Sequence, residues 1–136
     1  MKISIKPTLE EIPALLHHIS SWLVDYNLDV IKINQLKVVI DEIVSNTINH
    51  GMKSSNDLEF SLELTLNSDQ ITLTFTDNGI PFNPLLLEDP IHYKDISEAK
   101  VGGFGIYIFK NLTDQSSYSF QNGYNILTLV KKLTKT

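Results

Sequence analysis

The segment from Leu36 to Gly51, LKVVIDEIVSNTINHG, constrains the fold of this chain more than any other stretch. Its apolar residues recur at steps of three and four, which predicts an amphipathic helix with one face in the core. Glu42, Asn46 and His50 are each four residues apart, and each such step turns only about 40° around the helix axis. These three residues, the helix stripe, are therefore predicted to lie together at the border of the buried face.

The chemistry of the helix stripe differs from that of a solvated helix surface, where Lys and Glu are expected. The carboxylate of Glu42 can act as a general base, and the amide of Asn46 can give an oxygen ligand to a hard cation. The imidazole of His50 can contact a phosphate. The helix alone is also compatible with an ordinary half-exposed surface that happens to carry these residue types. Gly51 is expected to end the helix as a C-cap.

Length and composition exclude several classes of function. A chain of 136 residues predicts one domain, 1–136, with a sizeable core. The net charge is -5, Arg is absent and no basic stripe is present, which argues against direct binding of nucleic acid. No apolar run is long enough to span a membrane, and the N-terminus does not resemble a signal peptide. The lack of Cys excludes disulfides and Cys-ligated zinc and fits a cytoplasmic protein.

The remaining segments predict strands around two further helices. Alternating apolar residues indicate strands that bury one face, and Asn122-Gly123 is a strong signal for a type I′ hairpin. The predicted elements are a strand over 2–6, a helix from a Thr8–Glu11 capping box to about Tyr26, strands over 58–66 and 71–75, a helix over 106–112, and strands over 117–121 and 124–131. The predicted fold is a two-layer α/β sandwich, with a mixed, mostly antiparallel sheet of about five strands and three helices on one face.

Two loops in this order carry further chemistry. Asp77-Asn78-Gly79 directly follows a predicted strand, and Gly102-Gly103-Phe104-Gly105 opens the third predicted helix. A glycine-rich turn that enters a helix lets backbone N–H groups approach phosphates at the positive end of the helix dipole. Either loop alone is also explained by turn formation. Their order and spacing after the helix stripe are what favour a nucleotide site.

Together these motifs resemble the GHKL ATP-binding superfamily, and most closely its anti-sigma-factor serine/threonine kinases of bacterial partner-switching systems. The motif Glu-x-x-x-Asn-x-x-x-His-Gly is matched at 42–51, Asp-x-Gly with a Pro-Phe pair at 77–82, and Gly-Gly-x-Gly-Ile at 102–106. The closing pieces of the family are echoed by Asp114, Tyr118, Gly123, Asn125 and Leu127. The resemblance covers nearly the whole chain and implies the Bergerat-type ATP-binding fold.

The resemblance also implies a role for each matched residue. Asp77 would accept a hydrogen bond from the exocyclic amine of adenine, and Gly79 would let the backbone approach the base. Asn46 would place its side-chain oxygen on Mg²⁺, while Glu42 would act as the general base. Phosphate contacts would come from the other matched residues and the lysine before the glycines: His50, Lys100, Gly102, Gly103 and Gly105. Residues 80–101 would form the ATP lid.

The implied activity is ATP-dependent phosphorylation of a small antagonist protein on Ser. The protein would switch between this anti-sigma-factor antagonist and a sigma factor or another effector, and the family implies a homodimer. Two alternatives stay open: a non-catalytic ATP-dependent interaction module, and a stand-alone histidine-kinase-like ATPase domain. The absence of Arg departs from the family, so contacts that relatives make with Arg are missing or made by Lys.

Overall fold

The structure is a computed structural model that describes residues 1–51, 58–86 and 111–133. Its strands form one five-stranded sheet in the order β1-β2-β3-β5-β4, and every neighbouring pair is antiparallel. In chain order, the elements are β1 (Lys2–Ser4), α1 (Ile12–Asp25), α2 (Val30–Asn46), β2 (Phe60–Leu66), β3 (Gln70–Asp77), β4 (Gln115–Gln121) and β5 (Tyr124–Lys132). A π-helical turn, Thr47–Gly51, continues α2.

Both helices share a core with one face of the sheet. Alternate residues of β2, β3 and β5 are buried, and they form a single apolar cluster with the buried stripes of α1 and α2. The fully buried side chains of this cluster include Ile19, Leu23, Leu36, Ile40, Leu62, Leu73 and Leu129. Each such side chain contributes roughly 1.5–3 kcal/mol through removal of apolar surface from water. The predicted two-layer α/β sandwich is confirmed.

Two details of the predicted architecture differ from the structure. The sheet was expected to be mixed, yet all pairings among the described strands are antiparallel. Three helices were expected, and the described ranges contain two α-helices. The third was placed at 106–112, of which only Asn111 and Leu112 are described, both helical.

The predicted capping box at the start of α1 is also wrong. Thr8 makes no side-chain cap, because a 3-10 turn, Leu9–Glu11, precedes the helix. The backbone takes over the cap, since the Glu11 N–H donates to the Thr8 carbonyl oxygen at 3.2 Å. The Glu11 carboxylate lies instead 4.0 Å from the Lys6 ammonium group. Pro13 lies in the first turn of α1, where its missing N–H costs little.

The turns that orient α2 and the hairpins follow the residue types at their tips. Asn27 ends α1 in the left-handed region with φ 59°, and Asp29 caps α2 by accepting a bond from the Ile31 N–H. Asn122 and Gly123 both have positive φ, 54° and 85°, as a type I′ turn requires. Over the part of the chain that the structure describes, neither helix has the length and apolarity needed to cross a membrane.

Candidate functional site

A pocket opens where α2 ends against the carboxyl end of β3 and the start of β5. Its polar lining comes from Asn46 on α2, Asp77 on β3, Tyr118 on β4 and Asn125 on β5. The rest of the described lining is mostly apolar and consists of Ile43, Thr47, Gly51, Phe75, Ile80, Phe82, Pro84 and Leu127. An apolar pocket with a few convergent polar groups is typical of a small-molecule site.

The α-helical part of α2 stops at the pocket. Asn46 is its last residue and only 8% exposed, and the π-helical turn over Thr47–Gly51 follows. Single π-helical turns within helices occur frequently at functional sites. Gly51 ends this turn without the positive φ of an αL cap. The helix therefore ends where the sequence predicted, but the expected glycine C-cap is wrong.

Gly79 lies directly against the end of this π-helical turn. The Ile80 N–H donates to the Gly51 carbonyl oxygen at 3.0 Å. A Cβ atom on Gly79 would lie 2.4 Å from that same oxygen. Only glycine therefore lets the loop after β3 pack onto the end of α2. The sequence predicted that Gly79 admits a base, and the structure adds this packing reason for glycine.

Asp77 ends β3 inside the pocket, and its side chain is held at one oxygen only. Its Oδ1 accepts bonds from the Gly79 N–H at 2.8 Å and from the Asn125 Nδ2 at 3.0 Å. No described residue donates to Oδ2. Burial raises the pKa of the carboxyl group, while the bonds from Asn125 and Gly79 oppose that rise. Asp77 thus presents one hydrogen-bond acceptor oxygen that the described protein does not use.

Asn125 connects the loop after β3 to the hairpin of β4 and β5. Its Nδ2 donates to Asp77 and to the Ile80 carbonyl oxygen at 2.9 Å. Its Oδ1 accepts from the Phe82 N–H at 3.0 Å and from the Tyr118 hydroxyl. The sequence offered Asn125 and Tyr118 only as family echoes, without a role. Asp77, Tyr118 and Asn125 are named the sheet wall below.

The helix stripe reaches the pocket at one residue. Asn46 lines it, and its buried Nδ2 has no hydrogen-bond partner among the described residues. Glu42 is half-buried and outside the described lining, and its carboxylate forms no hydrogen bond within the described ranges. Burial, and then the nearby Asp41 carboxylate, raise the pKa of Glu42. His50 is exposed, with its ring 6.3 Å from that of Phe82.

The other predicted phosphate contacts lie outside the described residues. This applies to Lys100, Gly102, Gly103 and Gly105, and to residues 87–101 of the predicted lid. The chain is described again from Asn111, and the buried Lys131 ammonium group donates to the Leu112 carbonyl oxygen at 2.7 Å. Desolvation and then Lys32 lower the pKa of Lys131, while Asp114 opposes them. Sequence reasoning missed Lys131, because it follows the buried alternation of an ordinary strand.

The donors and acceptors of the pocket fit adenine and Mg²⁺. The unused Asp77 oxygen suits a ligand N–H, and the unpartnered Asn46 amide suits a polar ligand atom. A 180° rotation of that amide exchanges its oxygen and nitrogen and would present oxygen to a hard cation. No three His, Asp or Glu side chains converge within residues 1–51, 58–86 and 111–133. Within these ranges, the pocket therefore offers Mg²⁺ the Asn46 side chain and no cluster of carboxylates or imidazoles.

Comparison with known proteins places this fold and pocket in one class. The model of the histidine kinase-like ATPase domain family matches residues 5–131. The chain belongs to this family, which confirms the resemblance to GHKL proteins.

Relatives with assigned activities are serine kinases and anti-sigma factors. Serine-protein kinase RsbW from Listeria monocytogenes is 24% identical over 99 residues, which are 70% of this chain and 63% of that protein. Serine/threonine-protein kinase BtrW from Bordetella bronchiseptica is 26% identical over 94 residues, 69% of this chain and 66% of that protein. Anti-sigma F factor from Clostridium beijerinckii is 25% identical over 101 residues, 74% and 71% respectively. The chain thus spans less than two thirds of the RsbW relative.

Solved structures support the same fold. The histidine kinase domain of the blue-light activated kinase EL346 from Erythrobacter litoralis matches 90% of this chain and 61% of that chain, with a TM-score of 0.57 and 15% identity. The match to histidine kinase AdeS from Acinetobacter baumannii covers 76% of this chain and 48% of that chain, with a TM-score of 0.51. At these identities the likeness concerns the fold.

Proposed function

We propose that this protein binds ATP with Mg²⁺ and is a protein serine/threonine kinase that phosphorylates a small antagonist protein and switches partners. One observation carries the proposal: a buried carboxylate with one unused oxygen faces the same pocket as a buried, unpartnered amide. An unpaired buried polar atom such as the Asn46 amide nitrogen is costly, and a bound ligand would account for it. Family membership and the names of the relatives support ATP as the ligand.

Asp77 would select the base. Its free Oδ2 would accept the hydrogen bond of the adenine exocyclic amine, while its Oδ1 stays bonded to Gly79 and Asn125. Guanine presents a carbonyl oxygen at the equivalent position, which would face the carboxylate without a proton between them. A site built to pair with a ligand N–H discriminates strongly against a ligand that lacks it.

Asn46 and the glycine turn would hold the phosphate end. Asn46 would bind Mg²⁺ through its amide oxygen, and His50, Lys100, Gly102, Gly103 and Gly105 would contact phosphates. A bound Mg²⁺ supplies charge neutralisation at the phosphates, which is most of what phosphoryl transfer needs from a site. Since Arg is absent, Lys and backbone N–H groups carry the protein's share of this charge.

Glu42 would be the general base. Burial and the nearby Asp41 raise its pKa, which makes it a stronger base than an exposed carboxylate. The partner's serine oxygen would bond to the γ-phosphorus as the bond to the ADP oxygen breaks, and the serine proton would pass to Glu42. The partner leaves as phosphoserine and ADP remains.

Regulation would come from exclusive binding of two partners. The names of the relatives combine serine-kinase activity with anti-sigma-factor activity. We extend this combination to the present chain: it would hold a sigma factor or another effector, or hold and phosphorylate the antagonist. The proposal includes one ATP-binding domain over 1–136, a homodimer and a cytoplasmic location.

Thermal unfolding with Mg-ATP, with Mg-GTP as the control, tests nucleotide binding. At 100 times the dissociation constant, binding stabilises the native state by about 2.7 kcal/mol, which raises the Tm of a domain of this size by roughly 10 °C. We expect this rise with ATP and not with GTP. No rise with either nucleotide at millimolar concentration would reject ATP binding, and equal rises would reject base selection by Asp77.

The alternative function is a non-catalytic ATP-dependent interaction module, and it is favoured by the position of Glu42 outside the described lining. A phosphotransfer assay distinguishes this module from a kinase. Purified candidate antagonist proteins are incubated with γ-labelled ATP and the wild type, Glu42→Gln or Asp41→Asn. Asp41 is the matched control, because its carboxylate already accepts a bond from Ser45. We expect Glu42→Gln to bind ATP normally but lose transfer, and Asp41→Asn to keep both. Normal transfer by Glu42→Gln would exclude Glu42 as the base.

A further inference from the structure

The side chain of Asn125 has no hydrogen-bonding capacity left for a ligand. An Asn side chain has two N–H donors and an oxygen with two lone pairs. Here the donors go to Asp77 and the Ile80 carbonyl oxygen, and the oxygen accepts from Phe82 and Tyr118. Asn125 is also 4% exposed. Any effect of Asn125 on a bound nucleotide must therefore act through its neighbours.

The same bonds determine the orientation of the amide. With the amide rotated by 180°, its oxygen would face the Asp77 carboxylate and the Ile80 carbonyl oxygen, and its N–H groups would face the Phe82 N–H. Every one of these contacts would then join two acceptors or two donors. The Tyr118 hydroxyl, which donates to the amide oxygen, further favours the observed orientation. The N–H of Asn125 is thus directed at Asp77 Oδ1.

Two donors at one carboxylate oxygen hold the plane of that carboxylate. Gly79 donates from the loop at 2.8 Å, and Asn125 donates from β5 at 3.0 Å. Without Asn125, the Asp77 carboxylate would keep the Gly79 bond alone and could turn about its terminal torsion, which is intrinsically broad. The free Oδ2 would then no longer be held in one place.

From this network, we infer that Asn125, supported by Tyr118, is the positioning residue that makes the site specific for a purine carrying a 6-amino group. The inference rests on the proposed ATP site and deepens it. Asp77 touches the base, whereas Asn125 and Tyr118 act through Asp77. Loss of either support reduces recognition of the amine more than it reduces binding of the rest of the nucleotide.

A nucleotide pair that differs only at the 6-amino group isolates this effect. We would measure the dissociation constants of Mg-ATP and of magnesium purine riboside triphosphate, which lacks that amine, by calorimetry on the full chain. For the wild type we expect ATP to bind at least about tenfold more tightly, since a hydrogen bond to a charged group has this size. Asn125→Ala should bring the ratio to about two or less, because Oδ2 is no longer held in place.

Tyr118→Phe keeps the test decisive if Asn125→Ala does not fold. It removes a single hydroxyl from the network, and we expect the ratio to fall by about threefold. Tyr124→Phe is the matched control, because this hydroxyl donates to the exposed Glu59 outside the pocket, and its ratio should equal that of the wild type. General damage to the site would weaken both nucleotides equally and leave the ratio unchanged.

The outcomes separate this inference from the proposed function. If the wild type binds neither nucleotide, ATP binding is rejected and the inference is rejected with it. If the wild type prefers ATP and the folded variants at 118 and 125 keep the full preference, only the positioning role is overturned. A fall in the ratio with Tyr124→Phe as well would also overturn it, because the effect would not be specific to the sheet wall.

Discussion

The sheet wall lines the pocket with three residues and the helix stripe with Asn46 alone, and the two regions differ in how completely the protein satisfies their buried polar atoms. In the sheet wall, Asn125 uses both of its donors and both of its acceptor positions. In the helix stripe, the buried Asn46 amide nitrogen lacks a partner among the described residues. Satisfied buried networks hold one geometry, whereas an unsatisfied group has capacity left for a ligand. The difference suggests that the sheet wall selects the base and the helix stripe serves the metal and phosphates.

The contact between the two regions should be the least tolerant of change. Gly79→Ala places a Cβ atom 2.4 Å from the Gly51 carbonyl oxygen, and backbone on both sides leaves little room to relax. We expect a loss of about 3 kcal/mol in the free energy of unfolding, measured with urea. Gly51→Ala is the matched control, because among the described residues the nearest atom to its Cβ would be the Thr47 methyl group at 3.9 Å. Equal losses in both variants would show that this contact is not the constraint.

The same substitution in the two regions should change stability in opposite directions. Asn125→Leu removes one of the two bonds to Asp77 and the bonds that Asn125 makes to Tyr118, the Phe82 N–H and the Ile80 carbonyl oxygen. We expect a loss of about 3 kcal/mol in the free energy of unfolding. Asn46→Leu removes an unpartnered buried amide, and we expect a gain of about 1 kcal/mol without ligand. Urea unfolding measures both changes. A large loss for Asn46→Leu would mean that Asn46 is already satisfied.

The gain in stability at Asn46 should be accompanied by loss of function. We expect Asn46→Leu to lose Mg²⁺-dependent ATP binding, which calorimetry with and without Mg²⁺ measures. Such opposition between stability and activity is common at sites built to bind a ligand. Unchanged Mg²⁺ dependence in this variant would remove Asn46 from the metal site.

Titration of Asp77 gives a smaller effect with a defined sign. The folded-state pKa is raised above the reference value of 3.8, so the native state holds the proton more tightly than the unfolded chain. The stability from this group is therefore complete below pH 3.8 and is lost as pH rises through the folded pKa. Between pH 3.8 and the folded-state pKa, the free energy of unfolding should therefore fall less steeply with rising pH in Asp77→Asn than in the wild type. An equal decline in both proteins would contradict the raised pKa.

The sequence allowed the fold to be predicted from local patterns, and it named two residues that line the pocket, Asn46 and Asp77. Alternation located β2, β3 and β5, and the spacing of Glu42, Asn46 and His50 placed the stripe on α2. The role of Asn125 could not be predicted, since its partners lie up to 48 residues away along the chain.

Local signals also failed where another local interaction competed. The Thr8 capping box lost to a 3-10 turn, and the π-helical turn at Thr47–Gly51 left no signal that distinguishes it from α-helix. Spacing likewise predicted a continuous stripe, but Asn46 is buried while His50 is exposed. The depth of each residue depends on the packing of the loop after β3, which periodicity does not contain.

The exposed end of the helix stripe should affect phosphates alone. His50 is exposed, and its ring lies 6.3 Å from that of Phe82, so His50→Ala should change the free energy of unfolding by less than about 0.5 kcal/mol. If His50 contacts a phosphate, the variant should bind ATP several-fold more weakly than the wild type does. Its affinity for adenosine, which has no phosphate, should equal that of the wild type. Asp77→Asn should instead weaken both ligands, because both carry the same base. Calorimetry of both variants with ATP and adenosine thus tests whether the helix stripe serves the phosphates and the sheet wall the base. If His50→Ala weakens the binding of adenosine as much as that of ATP, this division of roles is contradicted.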